Sequence, residues 1–158
     1  MADHADQETQ DAWKGILFTH AKVVRALEAD LLASADLALT WLDVMNRLNE
    51  HPDRRLRFHE LAERSLFTRS GLTRLVDRIE KAGYVEREHS SDDRRGVYVT
   101  LTNAGAAKLE SLWPEFTASI QSHFGQHLNR GDIKALIAAT DKITSLGDDD
   151  GTITPGAR

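Results

Sequence analysis

The sequence contains no cysteine, which excludes a disulfide framework, a thiolate zinc site and a thiol redox switch. It also lacks any apolar run near the roughly 20 residues that span a bilayer, so no membrane partner is expected. Met1 to Gln10 is polar and acidic, unlike a secretory signal. A cytoplasmic protein is the expectation. No internal repeat, nucleophile elbow, phosphate loop or pair of catalytic carboxylates is present, and the histidines have no recognisable catalytic partners. An enzyme is therefore not expected, and no cofactor is implied.

Nor is there an overall excess of positive charge. The net charge of −5 in 158 residues argues at first against a polyanionic partner. Its distribution reverses that argument. From Arg54 to Arg95 there are 11 Lys/Arg against 8 Asp/Glu, whereas the rest of the chain holds 9 against 17. A polyanion responds to the local field, which decays within about 8 Å at physiological salt. Ten of the 11 central bases are arginine, whose planar fork suits phosphate and guanine edges.

Hydrophobic content of 41% and charged content of 28% are ordinary for a globular chain of one compact domain with extensions. From Trp13 to Leu32, apolar residues recur with a helical period. A second helix over Thr40 to Asn49 carries Trp41, Leu42, Met45 and Leu48, and ends before Pro52. Arg55 to Phe58 alternates as a short strand does. A short helix over His59 to Arg64 is followed by a turn at Ser65-Leu66-Phe67. The next helix reaches from Thr68, its expected N-cap, to Ala82. Phe67 and Leu72 have the spacing of a hydrophobic staple, and Gly83 stands where positive φ is needed. Thereafter the period becomes two. Tyr84 to Glu88 and Val97 to Leu101 read as a hairpin with a charged tip at residues 89–96. Thr102 or Asn103 caps a further helix, with a kink expected at Pro114. Ile133, Leu136, Ile137, Ile143 and Leu146 mark the last helix.

The helix from Thr68 carries the functional signal. Without its buried stripe of Leu72, Leu75, Val76 and Ile79, it presents Arg69, Ser70, Thr73, Arg74, Asp77, Arg78 and Lys81. At 100° per residue most of these fall within roughly a third of the circumference. Hydroxyls near a helix start, with arginines further along, are the groups that read bases and phosphates in a major groove. The alternative is a solvated face that only maintains solubility. The hairpin weighs against it, because an arginine on an exposed hairpin can enter the adjacent minor groove.

Glu60 to Arg64, Thr68 to Glu80 and Gly83 to Arg87 together resemble the helix-turn-helix of the MarR family of bacterial regulators. Asp93-Arg94-Arg95-Gly96-Val97-Tyr98-Val99-Thr100-Leu101-Thr102, followed by Gly105, resembles that family's wing. The match is detailed over residues 56–105. The turn departs from it in carrying Leu66 where many members have glycine, and Gly71 replaces a β-branched or polar residue.

The resemblance implies a mainly α fold: a winged helix-turn-helix of about six helices and a small β-hairpin, with interlocking N- and C-terminal dimerisation helices. Residues 1–10 would be a flexible tail, 11–35 and 104–147 the dimerisation region, 36–103 the DNA-binding domain, and 148–158 a disordered tail. It implies that Arg95 reaches into the minor groove while Asp93 orients the wing beside Arg94. It further implies that Thr68, Arg69, Ser70, Thr73, Arg74 and Arg78 face the major groove or its phosphates. A two-fold homodimer sets two recognition helices about 34 Å apart, so a pseudo-palindromic operator and a repressor's role are expected. Members often bind a small phenolic or aromatic anion. Here Leu17, His20, Trp41, Met45 and Trp113 are candidates for that pocket, against the reading that Trp41, Met45 and Trp113 are core. His123 and His127 stand at i and i+4, but no third metal ligand is evident and no metal is expected.

A second class of function fits the same helix: a winged-helix module gripping an acidic protein. Asp77, Glu80 and the overall acidity lean that way. Retardation of DNA from the chain's own promoter region separates the two.

Overall fold

The computed structural model describes residues 4–63, 68–89 and 96–145, with Arg69 and His89 described in their backbone alone. The turn with Leu66 and Phe67, the wing residues Asp93, Arg94 and Arg95, Leu146 and residues 148–158 lie outside these segments.

Helix α1 runs from Gln7 to Ala35. It starts inside the stretch expected to be a flexible tail, because Asp6 accepts a 2.8 Å hydrogen bond from Thr9 N and Glu8 follows in the first turn. An acidic cap and first turn satisfy the free N–H groups and the helix dipole without any apolar period. At the other end Asp36 adopts φ 51° and its N–H reaches the carbonyls of Leu31 and Leu32. Only Leu27 and Leu31 of α1 are buried.

Helix α2 spans Leu39–Asn49. Its N-cap, Ala38, has no side-chain acceptor. Glu28 of α1 supplies one, its Oε2 lying 2.7 Å from Leu39 N. Strand β1 is Arg55–Arg57 and leads directly into α3, Phe58–Glu63. Helix α4 is Arg69–Lys81, strands β2 and β3 are Val85–His89 and Val97–Leu101, and α5 is Asn103–His123. A 3-10 turn at Gly125–His127 precedes α6, Arg130–Ser145. The expected order of helices and hairpin is observed, and α5 continues as one helix through Pro114.

The sheet is antiparallel in the order β1-β3-β2. Leu56 faces Val99 and Val85 faces Leu101, and all four side chains are buried. They join one apolar core with Met45 and Leu48 of α2, Leu61 of α3, Leu72, Val76 and Ile79 of α4, and Leu109 and Leu112 of α5. Burial on this scale stabilises by about 1.5–3 kcal/mol for each large aliphatic side chain. It fixes the roll of α4, and hence which of its faces meets solvent.

The helices at the two ends behave differently. No described residue of α6 is buried, and Trp13, Ile16, Leu17, Phe18, Ile137 and Ile143 are exposed. No helix among the described residues is long and apolar enough to cross a membrane.

Candidate nucleic-acid interface

Both ends of α4 are terminated as the sequence predicts. Thr68 is extended, and its hydroxyl accepts from Gly71 N at 3.2 Å. At the C-terminus Gly83 takes φ 82°. Gly83 N bonds Glu80 O at 2.8 Å and Tyr84 N bonds Ile79 O at 3.2 Å. That pair of bonds is a Schellman motif, which a residue with a Cβ closes only under strain. Between these caps Leu72, Leu75, Val76 and Ile79 are buried. Ser70, Thr73, Arg74, Asp77, Arg78 and Lys81 are exposed. The roll of the helix is the one that the alternation of apolar and polar residues dictates.

Asp77 is not a bare carboxylate on this face. Arg87 of β2 places Nη1 2.8 Å from Asp77 Oδ1 and 2.5 Å from Glu80 Oε2. Its Nη2 donates to Thr73 O at 3.2 Å, and its backbone N–H donates to Glu80 Oε1 at 2.9 Å. Sequence inspection counts Asp77 and Glu80 as negative charge set against a polyanion. The fold pairs both with one cation from β2, leaving Arg74, Arg78 and Lys81 to set the sign of the outer surface. The signal missed was register: Arg87 faces Val99 across the sheet, the face that packs toward α4.

The opposite face of the sheet holds a second set of arginines. Arg55 lies over the Tyr98 ring with its guanidinium carbon 3.9 Å from the centroid, and Arg57 lies at 5.2 Å. Arg55 also pairs with Glu88 at 3.5 Å. Such stacking holds guanidinium planes in place at little cost in hydration. Strands β2 and β3 end at the facing pair His89 and Val97.

The expected ligand-pocket residues are only partly brought together. His20 and Trp113 line one cleft of about 390 Å³, with Leu27, Leu39, Asp43 and Phe116. Met45 does not: it is fully buried in the core, where a deep aliphatic position on α2 is filled before any pocket can form. Trp41 packs edge-on against Tyr84 with centroids 6.4 Å apart, and Leu17 is exposed on α1 outside the cleft lining. Helical periodicity shows that such residues share a stripe, not which of them meet an empty space.

The two histidines stand on different elements. His123 ends α5 and its Nε2 lies 2.9 Å from Asp30 Oδ2. His127 belongs to the 3-10 turn beyond, so the two do not share the helical turn that i,i+4 spacing suggests. Asp30 also accepts a hydrogen bond from the buried Ser119 hydroxyl. These bonds, that from Ser119 first and that from His123 second, hold the Asp30 carboxyl below the usual carboxylate range.

A model of the MarR family matches residues 35–96, from the end of α1 to the residue before β3. An uncharacterized HTH-type transcriptional regulator of Bacillus cereus is 32% identical over 117 residues, which make up 74% of this chain and 76% of that protein. The chain belongs to the MarR family. Another similar protein is the HTH-type transcriptional repressor YetL of Bacillus subtilis, 30% identical over 106 residues. That alignment covers 67% of this chain and 64% of YetL, just under two thirds of the relative's length. The fold extends the likeness to both ends. The crystal structure of Sco3205, a MarR family transcriptional regulator from Streptomyces coelicolor, was determined in complex with DNA. It superposes with a TM-score of 0.85 at 26% identity, covering 100% of this chain and 99% of that one. The winged-helix architecture expected from the sequence is thereby established, and the relatives that the chain matches are transcriptional regulators.

Proposed function

We propose that this MarR-family regulator is a repressor that binds a pseudo-palindromic operator in double-stranded DNA as a homodimer, in the cytoplasm, and that a small aromatic or phenolic ligand releases it. The observation that carries the reading is the outer face of α4. Ser70, Thr73, Arg74, Arg78 and Lys81 are exposed on one helix whose opposite side is locked into the core. A helix fits the major groove of B-DNA, about 12 Å wide, and arginine is the commonest reader of guanine there. Arg69, with Arg94 and Arg95 on the hairpin and Asp93 orienting it, would complete the contact surface. Thr68 contributes through the cap that fixes the start of the helix.

The dimer follows from surface that one protomer leaves open. Apolar side chains of α1 and α6, among them Trp13, Phe18, Ile137 and Ile143, are between 54% and 76% exposed. Exposed large apolar side chains gathered on the two terminal helices favour an association surface there. The cleft between His20 and Trp113 is the candidate ligand pocket, because it lies between α1, α2 and α5, where end helices meet the winged core. The alternative of a module for acidic proteins leaned on Asp77 and Glu80. With both engaged by Arg87, they give it no separate support.

The test is fluorescence anisotropy with labelled duplexes from the chain's own promoter region, over a range of salt. Affinity should fall with a log–log slope of about −0.9 per phosphate contacted. Arg95→Ala should weaken binding clearly, and benzoate, used as a simple aromatic anion, should weaken the binding of the wild type. Failure to bind any promoter duplex at low salt would overturn the reading.

A further inference from the structure

Arg87 stands where three parts of the winged helix meet. It is carried by β2 and bonds Asp77, Glu80 and the Thr73 carbonyl of α4. Its guanidinium carbon also lies 6.0 Å from the centre of the Phe58 ring at the start of α3. The side chain is 21% exposed, so its donors are spent inward rather than offered to a ligand. Thr73 O sits in the middle of α4, where a carbonyl already has its helical partner. A second donor there ties the wing strand to the body of the helix rather than to its frayed end. Arginine suits this place because its five N–H donors form a rigid fork, while lysine offers one flexible point charge.

We propose that Arg87 is a positioning residue for DNA recognition, holding the wing strand and α4 at one angle so that both engage the same duplex together. This rests on the DNA-binding reading above. Two contact elements joined rigidly at the right spacing reinforce one another, because the second binds at high effective concentration once the first is seated. If the joint loosens, each element still attracts phosphate. What is lost is the simultaneous fit that separates one sequence from another. Arg87 also offsets Asp77, whose side chain is 57% exposed on the same helix as Arg74 and Arg78. A simple charge role and a positioning role therefore predict opposite results when the carboxylates are removed.

The experiment uses the full chain and two duplexes of equal length: one selected from a random library by the wild-type protein, and one a scramble of it. Arg87→Ala should lose at least about tenfold on the selected duplex and stay within about threefold on the scramble, since base readout rather than phosphate attraction is impaired. Arg87→Lys should keep scramble binding and fail to restore selectivity. Asp77→Asn combined with Glu80→Gln should gain affinity for the scramble, having shed two negative charges, and still lose it on the selected duplex. Thermal unfolding accompanies each variant; if Arg87→Ala does not fold, the lysine variant and the amide pair decide the matter. Equal losses on both duplexes in Arg87→Ala would overturn the proposal in favour of a plain phosphate contact. An equal gain on both in the amide pair would overturn it in favour of bare charge. A wild-type protein that selects no duplex would instead overturn the DNA reading itself.

Discussion

Arg87 Nη1 lies 2.8 Å from Asp77 Oδ1, so the carboxylate on the exposed face of α4 is already paired from the neighbouring strand. The pair is partly exposed, and an exposed pair alone adds little stability. Its weight is in what it does to the surface. The cations that remain outward on α4, Arg74, Arg78 and Lys81, act without a competing bare negative charge.

Arg74→Ala and Arg78→Ala should each weaken operator binding. A residue that reads a base should cost about 1–3 kcal/mol and relax specificity at one position, whereas one on a phosphate should reduce the salt slope by about 1. Anisotropy titrations at several salt concentrations distinguish these outcomes. A normal affinity and slope for both variants would remove α4 from the interface.

Ile137→Glu should break association. Ile137 is 54% exposed on a helix with no described buried residue, so a single chain tolerates the charge while an apolar interface does not. Sedimentation should show a monomer, against the dimer proposed for the wild type. A duplex with two half-sites should then bind no better than one with a single half-site.

Gly105→Ala should destabilise the winged core. Gly105 opens α5 behind the Thr102 cap, whose hydroxyl accepts from Gly105 N at 3.0 Å and donates to Gly83 O at 2.7 Å. A methyl group there would fall on the Tyr84 carbonyl and on Leu101 Cδ1. Because one of these is backbone, relief requires moving α5 from the sheet, a change of the kind that costs about 1–3 kcal/mol. A lowered midpoint in thermal unfolding checks it.

Met45→Ala and Trp113→Ala should separate core from cleft. Met45 has no exposed surface, so its truncation should cost about 2–5 kcal/mol through the lost burial and the cavity left. Trp113 is 44% exposed beside His20, so its truncation should disturb release by benzoate more than folding. Denaturant unfolding and ligand titration of the two variants give the comparison.

Stability should fall on the acid side through Asp30. Its carboxyl titrates below the usual range because Ser119, and after it His123, donate to the charged form. A depressed folded pKa stabilises the native state above the unfolded value, and that contribution is lost as pH falls through the folded one. Asp30→Asn should flatten the acid limb of a stability–pH curve. Ser119→Ala should flatten it partly. An unchanged limb in both would remove the pair as its source.

Local chemistry fixed much of this molecule in advance. Thr68, Gly83 and Thr102 mark helix ends because a cap needs only a side chain and a carbonyl or N–H within a few residues. The outward face of α4 was legible for the same reason, since a period of 3.6 assigns every residue to a side once the apolar stripe is known. The family was legible from the run through the helix-turn-helix and the wing, and both the fold and the relatives uphold it. The tertiary structure decided which side chains meet across long stretches of chain. Glu28 caps α2 eleven residues away, Asp30 joins Ser119 from α1 to α5, and Arg87 returns to Thr73 and Asp77. Met45 fills the core while His20 and Trp113 border a cleft. Such pairings depend on the register and roll of elements packed together, quantities that no local period in the chain encodes.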